Sequence, residues 1–244
     1  MMITVKQLKH WLKPVRNTPL HPQWLMTRSS NDFSELLQKK QQGILLDIGC
    51  GNSQIKKIVR NTVTYIGLDY PKTMALGYDG APDILGDASW LPFADASIDT
   101  AIMFDVLEHI ANPELAIAEV SRVLSTGGHV FIKIPFLYPL HDEPHDYQRL
   151  TRHGLIHMLK KHDLQIEEIS EQTSPVETSA LLMNIALAKG LIDSVQEKSP
   201  AILTAPFIIG VIPLINIFGW AFAKILPSSK VMPVSYFIDA RKGR

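Results

Sequence analysis

Cysteine is nearly absent. Cys50 is the single one in 244 residues, which excludes an internal disulfide and a cysteine-based metal cluster and fits a reducing cytoplasm. Net charge is absent too. Lysine plus arginine and aspartate plus glutamate each number 24, so bulk electrostatics point away from nucleic acid as a partner. The opening run MMITVKQLKHWLKPVRNTP has no apolar centre of the kind a secretory signal needs. Repeats and low-complexity tracts are missing as well. What the chain does have is apolar content: 46% hydrophobic against 20% charged residues. That suffices for the core of one α/β domain with an appendage, or of two small domains.

Short apolar runs alternate with longer helical patterns from residue 44 to about 170. The spacing predicts strands over 44–48, 63–68, 83–85, 98–103, 129–135 and, more weakly, 164–169. Near-continuous apolar strands suit a parallel sheet covered on both faces. Asn112-Pro113-Glu114 predicts a helix start, with Leu115, Ala118, Val120 and Val123 at helical spacing and Gly127-Gly128 as its end. Thr151 predicts a cap for a helix whose apolar face is Leu155, Ile156, Met158 and Leu159. The expected fold class is α/β, a doubly wound, mostly parallel sheet.

The stretch ILLDIGCGNS (44–53) ends a buried strand on Asp47 and turns through Gly49 and Gly51. In an open parallel sheet, ligands sit beyond the carboxyl ends of the strands. Glycines let the backbone turn sharply and let a ligand approach it, and a helix starting at once would aim unpaired N–H groups there. The second strand ends in Asp69, placed to accept from ribose hydroxyls. The third leads to Gly86-Asp87-Ala88, where a carboxylate and an N–H can bracket an adenine edge. A dinucleotide fold wants a third glycine where Gln54 stands. Asp47, two residues before the first glycine, suits an ammonium group rather than a pyrophosphate. Nucleoside plus amino acid points to S-adenosylmethionine.

The stretch from about 43 to 170, carried by LDIGCGNS, YIGLDYP, DILGDASWLPFADASIDTAIMFDVLEHI and NPELAIAEVSRVLSTGGHVFIKIP, resembles a class I S-adenosylmethionine-dependent methyltransferase. The resemblance implies that Asp47, Gly49, Cys50 and Gly51 line the methionine end, Asp69 and Tyr70 the ribose, and Asp87 and Ala88 the adenine, with Phe104 against the cofactor. The family often has a further glycine where Ser53 stands. Cys50 reads as a small loop residue and His109, in LEHI, as a structural residue at a helix start.

After the fifth strand, PFLYPLHDEPHDYQRLT gathers His141, Asp142, Glu143, His145, Asp146, Tyr147 and Arg149. Methyl transfer needs an oriented acceptor, and an oxygen acceptor also needs a base, a role suited to histidine. The expected catalytic group is therefore His141 or His145 as base, Asp146 orienting, and Tyr147 shaping the pocket. Similar methyltransferases carry a comparable stretch, often in cell-surface glycan or lipid metabolism. His153 and His157 have ligand spacing on a helix, but Lys160 and Lys161 share that face, and no metal is expected there.

Residues 201–226 hold one charge in twenty-six, long enough to cross a bilayer, although Pro206, Gly210 and Pro213 interrupt a straight helix. Residues 180–192 are apolar too. From Lys189 onward seven basic residues stand against three acids, which suits anionic headgroups. VSYFIDARK (234–242) alternates like a strand and is expected to close the sheet beside the sixth strand, so a single membrane crossing between 170 and 234 is excluded. The expected organisation is an N-terminal helical lid segment (1–40), a cofactor-binding core (41–175), an apolar helical insertion (176–232) and a final strand with a basic tail (233–244). The seven-stranded enzyme expected from this would methylate a small, glycan or lipid-linked acceptor, oxygen before nitrogen or carbon. It would face the cytoplasm on the inner side of the cell membrane, with 180–226 as membrane surface or as the seam of a homodimer. The competing readings are a non-catalytic membrane-associated scaffold and a nucleotide-dependent oxidoreductase.

Overall fold

A computed structural model describes residues 13–28, 32–73 and 80–243. The run VKQLKHWLK, read as a lid, lies outside the described residues except for Lys13. The chain divides into two compact units: residues 32–170 with 235–244, and the N-terminal segment up to residue 31 with 171–234.

The first unit is built on a seven-stranded sheet. Its strands are β1 (Ile44–Ile48), β2 (Thr64–Asp69), β3 (Ile84–Leu85), β4 (Ile98–Phe104), β5 (Leu124–Pro135), β6 (Leu164–Gln172) and β7 (Ser235–Lys242), in the order β3-β2-β1-β4-β5-β7-β6. The pairs from β3 to β5 are parallel, and β7 runs antiparallel to β5, with Ile132 opposite Ile238. This is the doubly wound α/β sheet expected from the alternating pattern, with the last strand beside the sixth.

Pleating sorts alternate residues to two cores. Leu46, Met103, Val130, Ile132 and Ile238 pack with Ile117, Val120, Leu155 and Leu159 on one face. On the other, Leu45, Ile102, Phe131 and Phe237 pack with Phe33 and Leu37. The covering helices are α2 (Asp32–Lys40), α3 (Pro113–Val123) and α4 (Arg152–Lys161); α1 (Trp24–Arg28) belongs to the other unit. Thr151 caps α4, its Oγ1 accepting from the Gly154 N–H at 3.1 Å, and Leu155, Met158 and Leu159 are buried as expected. Asp239 of β7 is fully buried, held by Lys40 of α2 and by His129 Nδ1 at 2.9 Å.

Four local expectations are corrected. Helix α3 stops at Val123, not at Gly127-Gly128: Leu124 already pairs with Ile98, and the register then shifts to Thr100–His129. The two glycines mark that irregularity, Gly127 at φ +79°, as glycines do in bulged strands. Helix α3 buries Ala116, Ile117, Val120 and Val123, leaving Leu115 exposed, and the Asn112 side chain makes no capping bond. After the glycine turn, only a 3-10 turn, Ile55–Lys57, forms where a helix was expected; Val59 and Val63 flank a chain that must already return to β2.

In the second unit, α5 (Pro175–Gln196) and α6 (Ala205–Ile225) form the apolar insertion before the last strand. Ser174 and Glu177 make a capping box at the start of α5. Gly219 sits so close to Ala180 that a Cβ there would lie 2.6 Å from it, which lets the two helices meet. Asn184 donates to Asn216 Oδ1 at 2.9 Å, and Asn216 donates to the Pro19 and His21 carbonyls. The insertion leaves and returns at one place, with the Val234 N–H donating to the Gln172 carbonyl at 3.0 Å.

Candidate functional site

Asp47 stands level with Gly67 in the β1–β2 register, and Asp69 level with Leu85 in β2–β3. Period-two alternation therefore turns Asp47 and Asp69 to the same face, and Asp87 follows two residues beyond Leu85. Asp47 is buried and accepts from the Tyr65 hydroxyl at 2.7 Å. Burial pushes its pKa up to about 6; the Tyr65 bond opposes this and Asp69 adds to it. A buried acid in that state gains from a cation beside it. Burial first, then Asp47 and Asp69, push the Cys50 thiol up to about 11, so Cys50 is no nucleophile at neutral pH.

The glycine turn is bound to β2. Gly49 and Cys50 N–H groups both donate to the Leu68 carbonyl, at 2.8 and 3.2 Å. Gly49 has φ +71°, and a Cβ there would lie 2.4 Å from Val106, so glycine is required twice over. Ser53 also has positive φ, +51°, which gives the physical reason for the glycine often found there in similar enzymes. Asp69 Oδ2 accepts from the Gly51 N–H at 3.0 Å and Oδ1 from the Tyr70 N–H at 2.8 Å. Each oxygen keeps a second lone pair, so the carboxylate, fixed by two backbone amides, can still accept from a ligand's hydroxyls.

At the third strand tip, Asp87 is exposed and its Oδ1 accepts from the Ser89 N–H at 2.8 Å, while Ala88 is buried. Phe104 closes β4; its ring is edge-on to Phe33 at 4.8 Å and 5.9 Å from Phe237. Tyr65 and Asp83 were missed by sequence reasoning. Asp83 accepts from the Gly67 N–H at 2.7 Å and shares the acidic surroundings of Cys50. Their signal was parity with Asp47 and Asp69 along adjacent strands.

A second polar group forms where the turn after β4 meets the loop after β5. Asp146 is gripped by Arg149 through both oxygens, at 2.5 and 2.7 Å. Arg149, foremost, holds the carboxyl down at about 2. Asp146 Oδ2 also accepts from the His141 N–H at 3.0 Å and lies 3.3 Å from His141 Nδ1. Glu108 faces His141 and raises its pKa, and burial raises that of Glu108. His145 and Tyr147 are exposed, with Nδ1 and hydroxyl 3.1 Å apart. His109 contacts this loop, its Nδ1 2.9 Å from the His145 carbonyl. His153 and His157 are exposed on α4. Sequence reasoning missed Glu108, whose partners come from the loop after β5.

Residues 46–132 match the model of a methyltransferase domain. An uncharacterised protein of Methanocaldococcus jannaschii is 32% identical over 144 residues, 54% of this chain and 69% of its own. The chain spans 43% and 29% of the length of the first curated relatives it matches. Among solved structures, a SAM-dependent methyltransferase from Archaeoglobus fulgidus is similar with a TM-score of 0.55 and 16% identity, over 96% of this chain and 100% of that one. The [4+2]-cyclase SpnF also has a TM-score of 0.55, with 17% identity over 100% of this chain and 96% of its own. Both share the fold. With Asp47 and Asp69 beside a glycine turn, a matching methyltransferase-domain model and a relative covered over two thirds of its length, the chain belongs to the class I S-adenosylmethionine-dependent methyltransferases.

Proposed function

We propose that the chain moves the methyl group of S-adenosylmethionine onto an oxygen of a small, glycan or lipid-linked acceptor at the cytoplasmic face of a membrane. The observation that carries this reading is the Asp47–Asp69 pair. One acid is buried and needs a cation; the other has both oxygens fixed by backbone amides for a diol. The bound cofactor supplies an electrophilic methyl on a cationic sulfonium. Asp47 takes the ammonium of its methionine end, beside Gly49, Cys50 and Gly51. Asp69 and Tyr70 take the ribose, Asp87 and Ala88 the adenine, and Phe104 offers a ring face. His141 accepts the acceptor's proton at Nε2 while Asp146 holds Nδ1; His145 and Tyr147 line the approach. Position and proton acceptance are what this chain contributes to the displacement.

Membrane contact is supported by the insertion. Helices α5 and α6 are long and apolar enough to cross a membrane, and Phe207 and Ile225 are 73% and 76% exposed. The joined ends at Gln172 and Val234 support a hairpin that enters and leaves by the same side. Lys189, Lys198, Lys224 and Lys230 suit anionic headgroups. A homodimer through the same face is the competing occupant. The [4+2]-cyclase shares this fold, so a scaffold without methyl transfer is the second reading.

Calorimetric titration with S-adenosylmethionine, S-adenosylhomocysteine and NAD tests the cofactor; the first two are expected to bind. Incubation with methyl-labelled cofactor and native lipid extract is expected to give an alkali-sensitive or ether-linked labelled product. NAD binding in place of the other two sinks the reading, and cofactor binding without any labelled product leaves the scaffold.

A further inference from the structure

Glu108 is fully buried, yet neither carboxylate oxygen has a hydrogen-bond partner among the described residues. A buried acid is strongly disfavoured unless something cationic faces it. The groups nearest its Oε1 are His141 Nε2 at 3.7 Å and His109 Nε2 at 3.8 Å. Both distances are too long for hydrogen bonds.

The far nitrogens of the two rings explain the arrangement. His109 Nδ1 lies 2.9 Å from the His145 carbonyl oxygen. His141 Nδ1 lies 3.3 Å from both Asp146 Oδ2 and the Pro139 carbonyl oxygen. These oxygens accept, and Arg149 holds both oxygens of Asp146 in place, at 2.5 and 2.7 Å. They fix a proton on each Nδ1 and leave each Nε2 lone pair turned toward Glu108. Two lone pairs and a carboxylate converging on one point are relieved by a positive charge between them, a ring proton or a bound cation. The three donor atoms lie within 4.8 Å of one another, and both imidazoles are partly exposed, which gives a path from solvent.

We infer that Glu108, His109 and His141 bind a divalent transition-metal cation of the zinc class, with Asp146 and the His145 carbonyl as the supports that orient the two rings. Two imidazoles and a carboxylate are a donor set such ions accept, and three protein ligands leave a position open for an exchangeable one. Supports of this kind are what ligating histidines carry on their second nitrogen. That the open position takes the acceptor oxygen rests on the methyl-transfer reading, and proton acceptance then passes from His141 to His145. Binding of the ion does not rest on it.

The test uses the full chain stripped with chelator. Titration with zinc chloride is expected to give one ion per chain, and cobalt(II) is expected to give visible d–d absorption. Glu108→Gln and His109→Ala are each expected to weaken zinc binding by at least about tenfold, and Asp146→Asn by about 10–100-fold. The double variant His153→Ala/His157→Ala, on the exposed face of α4, is expected to bind as the parent does. Thermal melts of the stripped variants establish that each is folded. The inference is overturned by no saturable zinc binding, by binding that survives both Glu108→Gln and His109→Ala, or by loss in the double variant alone. Titrating S-adenosylmethionine into the same samples separates the two readings: zinc bound without cofactor binding sinks only methyl transfer, and cofactor bound without zinc sinks only the ion site.

Discussion

Residues 32–170 with 235–244 bury carboxylates, whereas residues 171–234 display hydrocarbon. In the first unit Asp47, Asp69, Glu108 and Asp239 are all buried. In the second, Leu203, Phe207, Ile209, Phe218 and Ile225 are all exposed. Both are departures from what folding alone favours. The buried acids differ among themselves, which is instructive. Asp239 has Lys40 and His129, and Asp69 has a backbone N–H on each oxygen with a lone pair to spare. Among the described residues, Asp47 has the neutral Tyr65 hydroxyl as its side-chain partner, and Glu108 faces two imidazoles at 3.7 and 3.8 Å, beyond hydrogen-bond reach. Incomplete acids support the ligand sites proposed above, and exposed hydrocarbon supports the membrane contact proposed there.

The largest effect that sharpens this contrast concerns His141. Its replacement by alanine is expected to lower methyl transfer by about 10²–10⁴-fold, with S-adenosylmethionine affinity retained in calorimetry. Loss of cofactor affinity instead would move His141 into the cofactor site.

Asp47→Asn comes next. It is expected to weaken cofactor binding by about 2–5 kcal/mol, as for one partner of a buried charge pair. The same change is expected to stabilise the ligand-free protein above pH 7. Asp47 has a folded pKa of about 6, raised above its unfolded value. The folded state therefore holds the proton more tightly, and stability falls as pH rises through the window from about 4 to about 6, by up to about 3 kcal/mol. Denaturant unfolding of parent and variant across that window reads the slope. A parent whose stability is flat there breaks the comparison at its strongest point.

For the hydrocarbon side, Phe207→Ser and Phe218→Ser are each expected to cut binding to anionic vesicles by about tenfold or more, since burying one such ring contributes about 1.5–3 kcal/mol. Cofactor affinity should not change. Unaltered vesicle binding, with a shift from dimer to monomer in sedimentation, would give the face to a second copy. The smallest effect is at Ser53, where glycine relieves a left-handed backbone but loses a hydroxyl. A change within about 1 kcal/mol is expected in thermal unfolding.

The sheet was readable because its strands are short apolar runs of distinct parity, and YFIDA between Val234 and Arg241 declared the last one. The tips were readable because Asp47, Asp69 and Asp87 each follow such a run. Gly127-Gly128 misled because a glycine pair at a helix end and one at a strand bulge look alike until the partner strand is known. Glu108 was hidden for another reason. Its isolation comes from Leu107, His141 and the loop after β5, about thirty residues away in the chain, and one-dimensional spacing carries no sign of it. The short turn at Ile55–Lys57 was equally invisible, since its apolar content fits a helix as well.

Strand β7 lies between β5 and β6, yet it is made after both apolar helices. During synthesis the slot beside β5 stays vacant while α5 and α6 emerge. The hydrocarbon surface is thus synthesised before the sheet can be completed, and the last strand must enter between two neighbours already made.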